Sequence, residues 1–511
     1  MATYSRALPI APLVLLLAIS TSSNANEDKS INAKAQMMEN GLRDSVLDKS
    51  NPTKWSLSQR MAHFNVPGVS IAVIENYKVV FAKGYGLKEA GTAQPVDENT
   101  VFSVGSLSKV ATAAAVLSLT SQKQIALDTD VNTYLKQWRV PASQYTNIDK
   151  VTLRGILSHT AGLSLWGFPD FEPHEKTPTV LETLKGTGLS RTKPVRTFYQ
   201  PGTSWRYSGG GTTIIQLLFE DVLKQPFEIA TEDLLFKPLK MTRSTFENPL
   251  PKEFGNIAKA HDASGKLEAK PRGWHTFPEM AASGLWSTPS DYAHLMIALM
   301  KSYQGNHNYL EHGLAQQMMT EVGFGKFGLG PKMSGAGELR RFRHGGSNQS
   351  YKAWMEGHLN LGTGLVVFTN GSNGDDLYEE IRRAVADAFD WPFYRPFYRY
   401  EPAINAKWLN QFTGAFTVSG DKYTALERGF ISADEPRSKT RYFSLKNNTL
   451  YVGQRALVPI APNQFVLQGD DAEEQTYVEF IQNTQGQFET VIVREGANSV
   501  VASKDMAERL N

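Results

Sequence analysis

Ser106 and Lys109 stand three residues apart at the head of Val104 to Leu119, a stretch rich in Ala, Val and Leu and poor in charge. On a helix this spacing puts both side chains on one face, with Cβ atoms roughly 5–6 Å apart. A hydroxyl then meets an amine. Burial and the positive end of the helix dipole both disfavour the ammonium, so the Lys can accept the serine proton and leave a nucleophile. Standing alone, the pair reads more readily as an N-terminal Ser beside a Lys that snorkels to solvent. The spacing recurs at Ser190/Lys193 and Ser419/Lys422, but Pro194 follows the first, Gly420 breaks the second, and only Ser106 heads a helical pattern. With no Cys in the chain there is no thiolate nucleophile, disulfide or zinc–thiolate site. The 10 His show no His-Glu-x-x-His or comparable ligand spacing, so neither a metal nor another cofactor is expected.

The elements that must position this pair follow from periodicity. A helix is expected over Ala33 to Leu47. Gly68 to Tyr85 reads as paired strands turning at Glu75-Asn76, because Val69, Ile71, Val73, Val79, Val80 and Phe81 are β-formers. Thr212 to Leu223 and Asp376 to Ala388 read as helices, and Thr288-Pro-Ser-Asp291 as a helix start, with Thr capping and Pro at the first position. Arg341 to Asn370 returns to strands around a turn at Asn360-Leu-Gly362. Strands at both ends with helices between predict an α+β layer fold whose sheet joins distant segments. A cluster of Pro and aromatic residues over Phe389 to Trp408 marks a boundary. Beyond it, short β-rich runs alternate with turns at Asn447-Asn448, Gly469-Asp470-Asp471 and Gly486, the pattern of a small antiparallel barrel or sandwich.

The 511 residues exceed one compact core, and 53 Lys plus Arg against 51 Asp plus Glu leaves a formal charge of +2, too small to argue for nucleic acid. Arg6, the apolar Ala7 to Ile19 and the polar Ser23-Asn-Ala25 have the form of a secretory signal peptide, cut near Ala25. The apolar stretch is shorter than the ~20 residues that span a bilayer, so no stable membrane anchor is expected and the compartment is periplasmic or extracellular. The expected division is a signal peptide over 1–25, a catalytic domain over 26–395 and an all-β domain over 396–511.

Several segments occur in an order that carries more than the pair alone. Phe102-Ser-Val-Gly-Ser106-Leu-Ser-Lys109 resembles the nucleophile motif of the serine β-lactamase and penicillin-binding protein superfamily. Leu157-Ser-His-Thr-Ala-Gly-Leu163, Tyr199-Gln-Pro-Gly202 with Trp205-Arg-Tyr-Ser208, Ala282-Ser-Gly-Leu-Trp-Ser-Thr288 and Phe342-Arg-His-Gly-Gly346 look like markers of its class C branch, with D-aminopeptidases, DD-peptidases and esterases. The resemblance covers Leu57 to Ala388. It implies a β-lactamase/transpeptidase-like antiparallel sheet with helices on both faces and a helical lobe, then a barrel similar to the lipocalin-like appendages of some members.

The resemblance also assigns roles. Ser106 forms an acyl-enzyme while Lys109 and Tyr207 manage its proton. The N–H groups of Ser106 and Ser347 hold the oxyanion, and His344, Gly345 and Gly346 line the substrate strand. Tyr145-Thr-Asn147 matches the family's Tyr-x-Asn more literally than Tyr207-Ser-Gly209, but lacks the Pro201-Gly202 lead-in and a following helix. Lys326-Phe-Gly328 competes with His344-Gly-Gly346, yet only the latter opens paired strands. Gly209 stands where relatives carry an Asn that contacts an acyl amide, and His344, with an ordinary pKa near ~6.5, stands where many carry Lys. Both departures point to D-amino-acid peptides or small esters ahead of β-lactams, and to a carboxylate preference that follows the charge of His344. His159 is read as fixing a turn; His275 and Trp286 carry no role. A true β-lactamase and a non-catalytic muropeptide sensor are the alternatives, and a third reading makes the barrel a carrier or docking module. The expected partner is a small-molecule or peptide substrate.

Overall fold

The computed structural model describes residues 29–306, 309–400, 404–418, 440–468, 476–495 and 498–504. The signal peptide expected over 1–25, the Ser419/Lys422 pair and the turn expected at Gly469-Asp470-Asp471 lie outside them. No helix among the described residues is long and apolar enough to cross a membrane. The chain divides into two compact units, one of 58–378 and one joining the described residues before Ser58 to those after Tyr378.

The first unit is built on a six-stranded sheet: β1 (Gly68–Glu75), β2 (Lys78–Gly86), β3 (Lys332–Ser334), β4 (Arg341–Asn348), β5 (Tyr351–His358) and β6 (Thr363–Thr369), in the spatial order β2-β1-β6-β5-β4-β3. Every neighbouring pair is antiparallel. The N-terminal hairpin pairs beside β6 with Val69 opposite Thr369, so the sheet does join segments some 300 residues apart in sequence. Asn76 and Tyr77, at φ 50° and 59°, make the β1–β2 turn, one residue later than expected; Asn tolerates this left-handed backbone well. Alternation along β5 splits the faces. Ala353 and Met355 join the core that holds Met296 of the helix Pro289–Tyr303, while Trp354 points the other way and stacks on Tyr378 at 5.4 Å. Thr288 caps that helix by accepting from Asp291 N at 3.1 Å. The nucleophile helix α1 (Ser108–Ser121) and the helix α2 (Gly209–Leu223) belong to the helical part. In α1, Lys109 to Leu117 are all buried, which is why its sequence is apolar on every side.

In the second unit the helix spans 29–39, not 33–47. Asn40 and Gly41 stop it, and Val46–Leu47 instead forms a short strand parallel to Phe397–Tyr398. Arg43 is buried here, bonded to Asp387 at 2.7 Å and to Tyr394 O at 2.7 Å. Eight antiparallel strands between Gly414 and Lys504 close into a barrel, with Gly414–Val418 paired both to Thr440–Lys446 and to Asn498–Lys504. Asn447 and Asn448 both take left-handed φ in the hairpin turn expected there. Phe412, Phe416, Phe443, Phe465 and Phe480 fill the interior, as an eight-stranded barrel's width allows. The inside of the barrel is thus a packed core.

Candidate active site

Ser106 sits in a single 3₁₀ turn, Gly105–Leu107, that feeds directly into α1, and alone among residues 101–110 it is partly exposed. The turn is braced from below by the segment 281–285. Ser108 Oγ donates to Gly105 O at 2.6 Å and accepts from Leu285 N at 3.0 Å, and Thr112 Oγ1 donates to Ala281 O at 2.8 Å. Asn348 Nδ2 reaches Ser103 Oγ at 2.7 Å and Ser283 O at 2.9 Å. These bonds explain the Ala282 to Thr288 segment in the sequence: its backbone groups are the partners.

Lys109 Nζ lies 3.2 Å from Ser106 Oγ and donates to Ala282 O at 2.8 Å. With the residue 5 % exposed, desolvation brings its pKa from 10.5 down to about 7. A carbonyl on one side and a hydroxyl on the other let the amine shed its charge near neutral pH while aimed at Ser106. Tyr207 immediately precedes Ser208, which caps α2 by accepting from Gly211 N at 2.9 Å and donates to Ser164 O at 2.7 Å. Burial raises the Tyr207 phenol above its ordinary range, and a hydrogen bond with Ser106 opposes that rise. Lys109 Nζ stands 5.0 Å from the Tyr207 ring centroid.

His159 takes φ 61°, as expected of a turn residue, and it also supports Tyr207. Its Nδ1 accepts from Ser208 N at 3.2 Å, its carbonyl accepts from Arg206 N at 2.8 Å, and its ring lies 4.3 Å from that of Tyr207. Burial, then Lys109 and His344, hold its pKa well below 6.5. Tyr145 lies in the turn after Ser143, with its N–H on Ser143 Oγ, and does not line the cleft. His275 pairs with Glu172 at 3.2 Å and Asp170 at 3.3 Å, and Trp286 is a fully buried core residue against Trp274 and Tyr351.

The nucleophile turn abuts β4. A Cβ on Gly105 would lie 2.7 Å from Ser347 N, and one on Gly346 only 2.0 Å from Val104 O. The peptides of Ser106 and Ser347 therefore meet at one junction. A Cβ on Gly345 would lie 3.6 Å from the Trp354 ring, an ordinary contact. Gly346→Ala is expected to push β4 off the turn and lower activity by about 10²-fold, the usual size of a ~1 Å misplacement. Gly345→Ala should cost far less. Initial rates of the two variants on any turned-over substrate check this, and equal losses would refute the contact.

His344 departs from expectation. It is 7 % exposed, and its Nδ1 lies 2.6 Å from Gly345 O. A carbonyl only accepts, so Nδ1 carries the proton and Nε2 keeps a lone pair. Burial and the neighbouring Lys109 bring its pKa down to about 4, so the ring is neutral above pH 5 and cannot read a carboxylate by charge near pH 6.5. A cation in the cleft that the sequence reading passed over is Lys352, which stands opposite Ser347 in the β4–β5 register and donates to Ser347 Oγ at 2.7 Å.

Ser106, Lys109, Tyr207, His344, Gly345, Gly346 and Ser347 all line one cavity of about 760 Å³. Trp205 of the Trp205-Arg-Tyr-Ser208 segment lines it too, as do Trp166, Phe168, Asp375 and Tyr378, none of which was singled out from the sequence. The run Leu165-Trp-Gly-Phe168, one residue after the Leu157 to Leu163 segment, was the available signal: large apolar residues in a loop. No group of three or more His, Cys, Asp or Glu that could hold a metal occurs among the described residues.

Residues 56–389 match the Beta-lactamase family. The protein flp of Staphylococcus aureus (strain N315) is 26% identical over 232 residues, 45% of this chain and 43% of that protein. A beta-lactamase of Pseudomonas fluorescens is 28% identical over 206 residues, 40% of this chain and 53% of that protein. The chain thus spans about half or less of the length of these relatives. Among solved structures, the octameric penicillin-binding protein homologue from Pyrococcus abyssi superposes with TM-score 0.53 at 18% identity, over 87% of this chain and 98% of that one. SurE with D-Leu superposes with TM-score 0.51 at 17% identity, over 88% and 97%. At these identities the likeness is one of fold.

Proposed function

From the premise that the chain belongs to the beta-lactamase family, we propose that it is a serine hydrolase working through an acyl-enzyme on Ser106. The observation that carries this reading is the buried amine of Lys109, 3.2 Å from Ser106 Oγ and with its pKa brought down to about 7. The neutral amine takes the Ser106 proton as Oγ attacks the substrate carbonyl. The N–H groups of Ser106 and Ser347 hold the oxyanion. Tyr207 delivers a proton to the departing amine or alcohol and regains one from the Lys109 ammonium; water then attacks the acyl group, its proton going to the same base and from there to the departing Ser106 Oγ, which restores the hydroxyl. No step needs a cofactor. Gly209 offers no side-chain amide, and neutral His344 offers no charge, which supports peptide amides, including those of D-amino acids, and small esters over β-lactams as substrates.

Intact mass after separate incubation with a fluorophosphonate and a penicillin tests this reading. The native protein is expected to gain one phosphonyl group, Ser106→Ala none, and penicillin to react slowly or not at all. An adduct on Ser106→Ala would remove Ser106 from the role, and rapid penicillin turnover would instead make the protein a true β-lactamase. A penicillin adduct that persists without turnover of any amide or ester is the outcome for a sensor. In protein recovered from the secreting host, the same mass reads whether 1–25 is gone, as the proposed export to the periplasm or medium requires.

A further inference from the structure

The loop before α2 carries an aromatic surface that the chemistry at Ser106 does not use. Trp166 is 73 % exposed, although it stands at the cavity and its ring lies 5.9 Å from that of Tyr207. A tryptophan left open to solvent inside a cleft is a large apolar area with nothing yet to cover it. It is not held there by chance packing. The first N–H groups of α2 bond back to the loop, Gly209 N to Trp166 O at 3.2 Å and Gly210 N to Leu165 O at 3.1 Å.

Gly209 packs closely beneath this loop. A Cβ there would lie 3.0 Å from Phe168 Cε2 and 3.1 Å from Trp166 O, so any side chain at 209 would press on the loop from beneath. The same absence of a side chain removes a polar group from this wall. What the wall presents instead is Leu165, Trp166 and Phe168, continuous with Trp205 and the Tyr207 ring. Beyond the catalytic groups, polar lining comes from other elements, among them Ser347, Asn348, Lys352 and Asp375.

We propose that Trp166, seated on the side-chain-free Gly209, forms a subsite for an aromatic or branched apolar group on the substrate. This makes the enzyme selective for hydrolysable amides and esters with such a group next to the reacting carbonyl or on its leaving atom. The proposal rests on the Ser106 reading. Covering Trp166 with a phenyl ring removes apolar area from both partners, and a few tens of Å² on each side suffices for about a tenfold preference.

The test uses the full chain and two pairs of esters. One pair is 4-nitrophenyl phenylacetate against 4-nitrophenyl acetate, which varies the acyl side; the other is benzyl acetate against methyl acetate, which varies the leaving side. In the native enzyme at least one pair is expected to favour the aromatic member in kcat/KM by about tenfold or more, and in Trp166→Ala that ratio falls by about tenfold. Trp166→Phe, which keeps a flat apolar ring, retains most of it. The pair that responds tells which side of the carbonyl the subsite serves. A ratio unchanged in Trp166→Ala overturns the subsite, including the case in which both members slow together, since that reports a disturbed Tyr207. Fluorophosphonate labelling of Ser106 in each variant separates the two levels. Labelling with no change in either ratio removes the subsite alone, whereas absence of labelling in the native protein removes the Ser106 reading and the subsite with it.

Discussion

Lys109→Met is expected to lower kcat/KM by about 10³-fold, within the ~10²–10⁴ range of a lost general base, and to slow phosphonylation of Ser106 to a similar degree. Met keeps the unbranched stem that fills the core around the buried Lys, so the loss reports the amine and not the packing. The pH dependence makes the assignment specific. Lys109 works as a base only when neutral, so the native rate should rise with pH through about 7 and then level off. No other candidate in the site titrates there: His344 is brought down to about 4, His159 lies well below 6.5, and Tyr207 is raised above 10.0. Lys109→Met should therefore lose that limb along with the rate. A variant that keeps a limb near pH 7 would place the base on another residue.

The parts of this site that are local in sequence were legible, and the parts that depend on packing were not. A spacing of three residues across the turn that opens α1 puts Ser106 and Lys109 together whatever surrounds them, and Pro201-Gly202 ahead of a helix start pointed to Tyr207. The cap of Pro289–Tyr303 and the left-handed Asn447-Asn448 turn are equally local. The charge of His344 is not local. It follows from burial beside Lys109, which outweighs a bond to Gly345 O that favours the charged ring, and burial has no signature in His-Gly-Gly. Lys352 could have been reached by counting. Asn348 pairs with Tyr351 around Gln349 and Ser350, so the next pair outward is Ser347 with Lys352, and hairpin register alone gives it. The end of the first helix had a local signal in Asn40-Gly41, but the strand that follows it had none. Val46 and Leu47 are apolar enough to prolong a helix, and what makes them a strand is Phe397 and Tyr398, about 350 residues later.

Tyr207→Phe is the change that separates the two proton carriers. It removes one oxygen and leaves the ring, whose neighbours His159 at 4.3 Å and Trp166 at 5.9 Å are ring contacts that Phe preserves. The fold should be unaffected. If Tyr207 protonates the leaving group, the cost depends on how much that group needs a proton. An amide nitrogen cannot depart as an anion, so turnover of a peptide anilide should fall by about 10²–10⁴-fold, mostly in kcat. 4-Nitrophenoxide departs readily unprotonated, so hydrolysis of its ester should fall much less. Lys109→Met, which acts at the attack of Ser106 common to both, should slow anilide and ester alike. Tyr145→Phe serves as the control, because Tyr145 lies outside the cavity in the turn after Ser143, and it should leave both rates near native. An equal loss on anilide and ester in Tyr207→Phe would move Tyr207 from leaving-group acid to partner of Lys109 in deprotonating Ser106. A loss confined to Tyr145→Phe would move the second catalytic segment to Tyr145, against the place of Tyr207 in the cavity with its ring 5.0 Å from Lys109 Nζ.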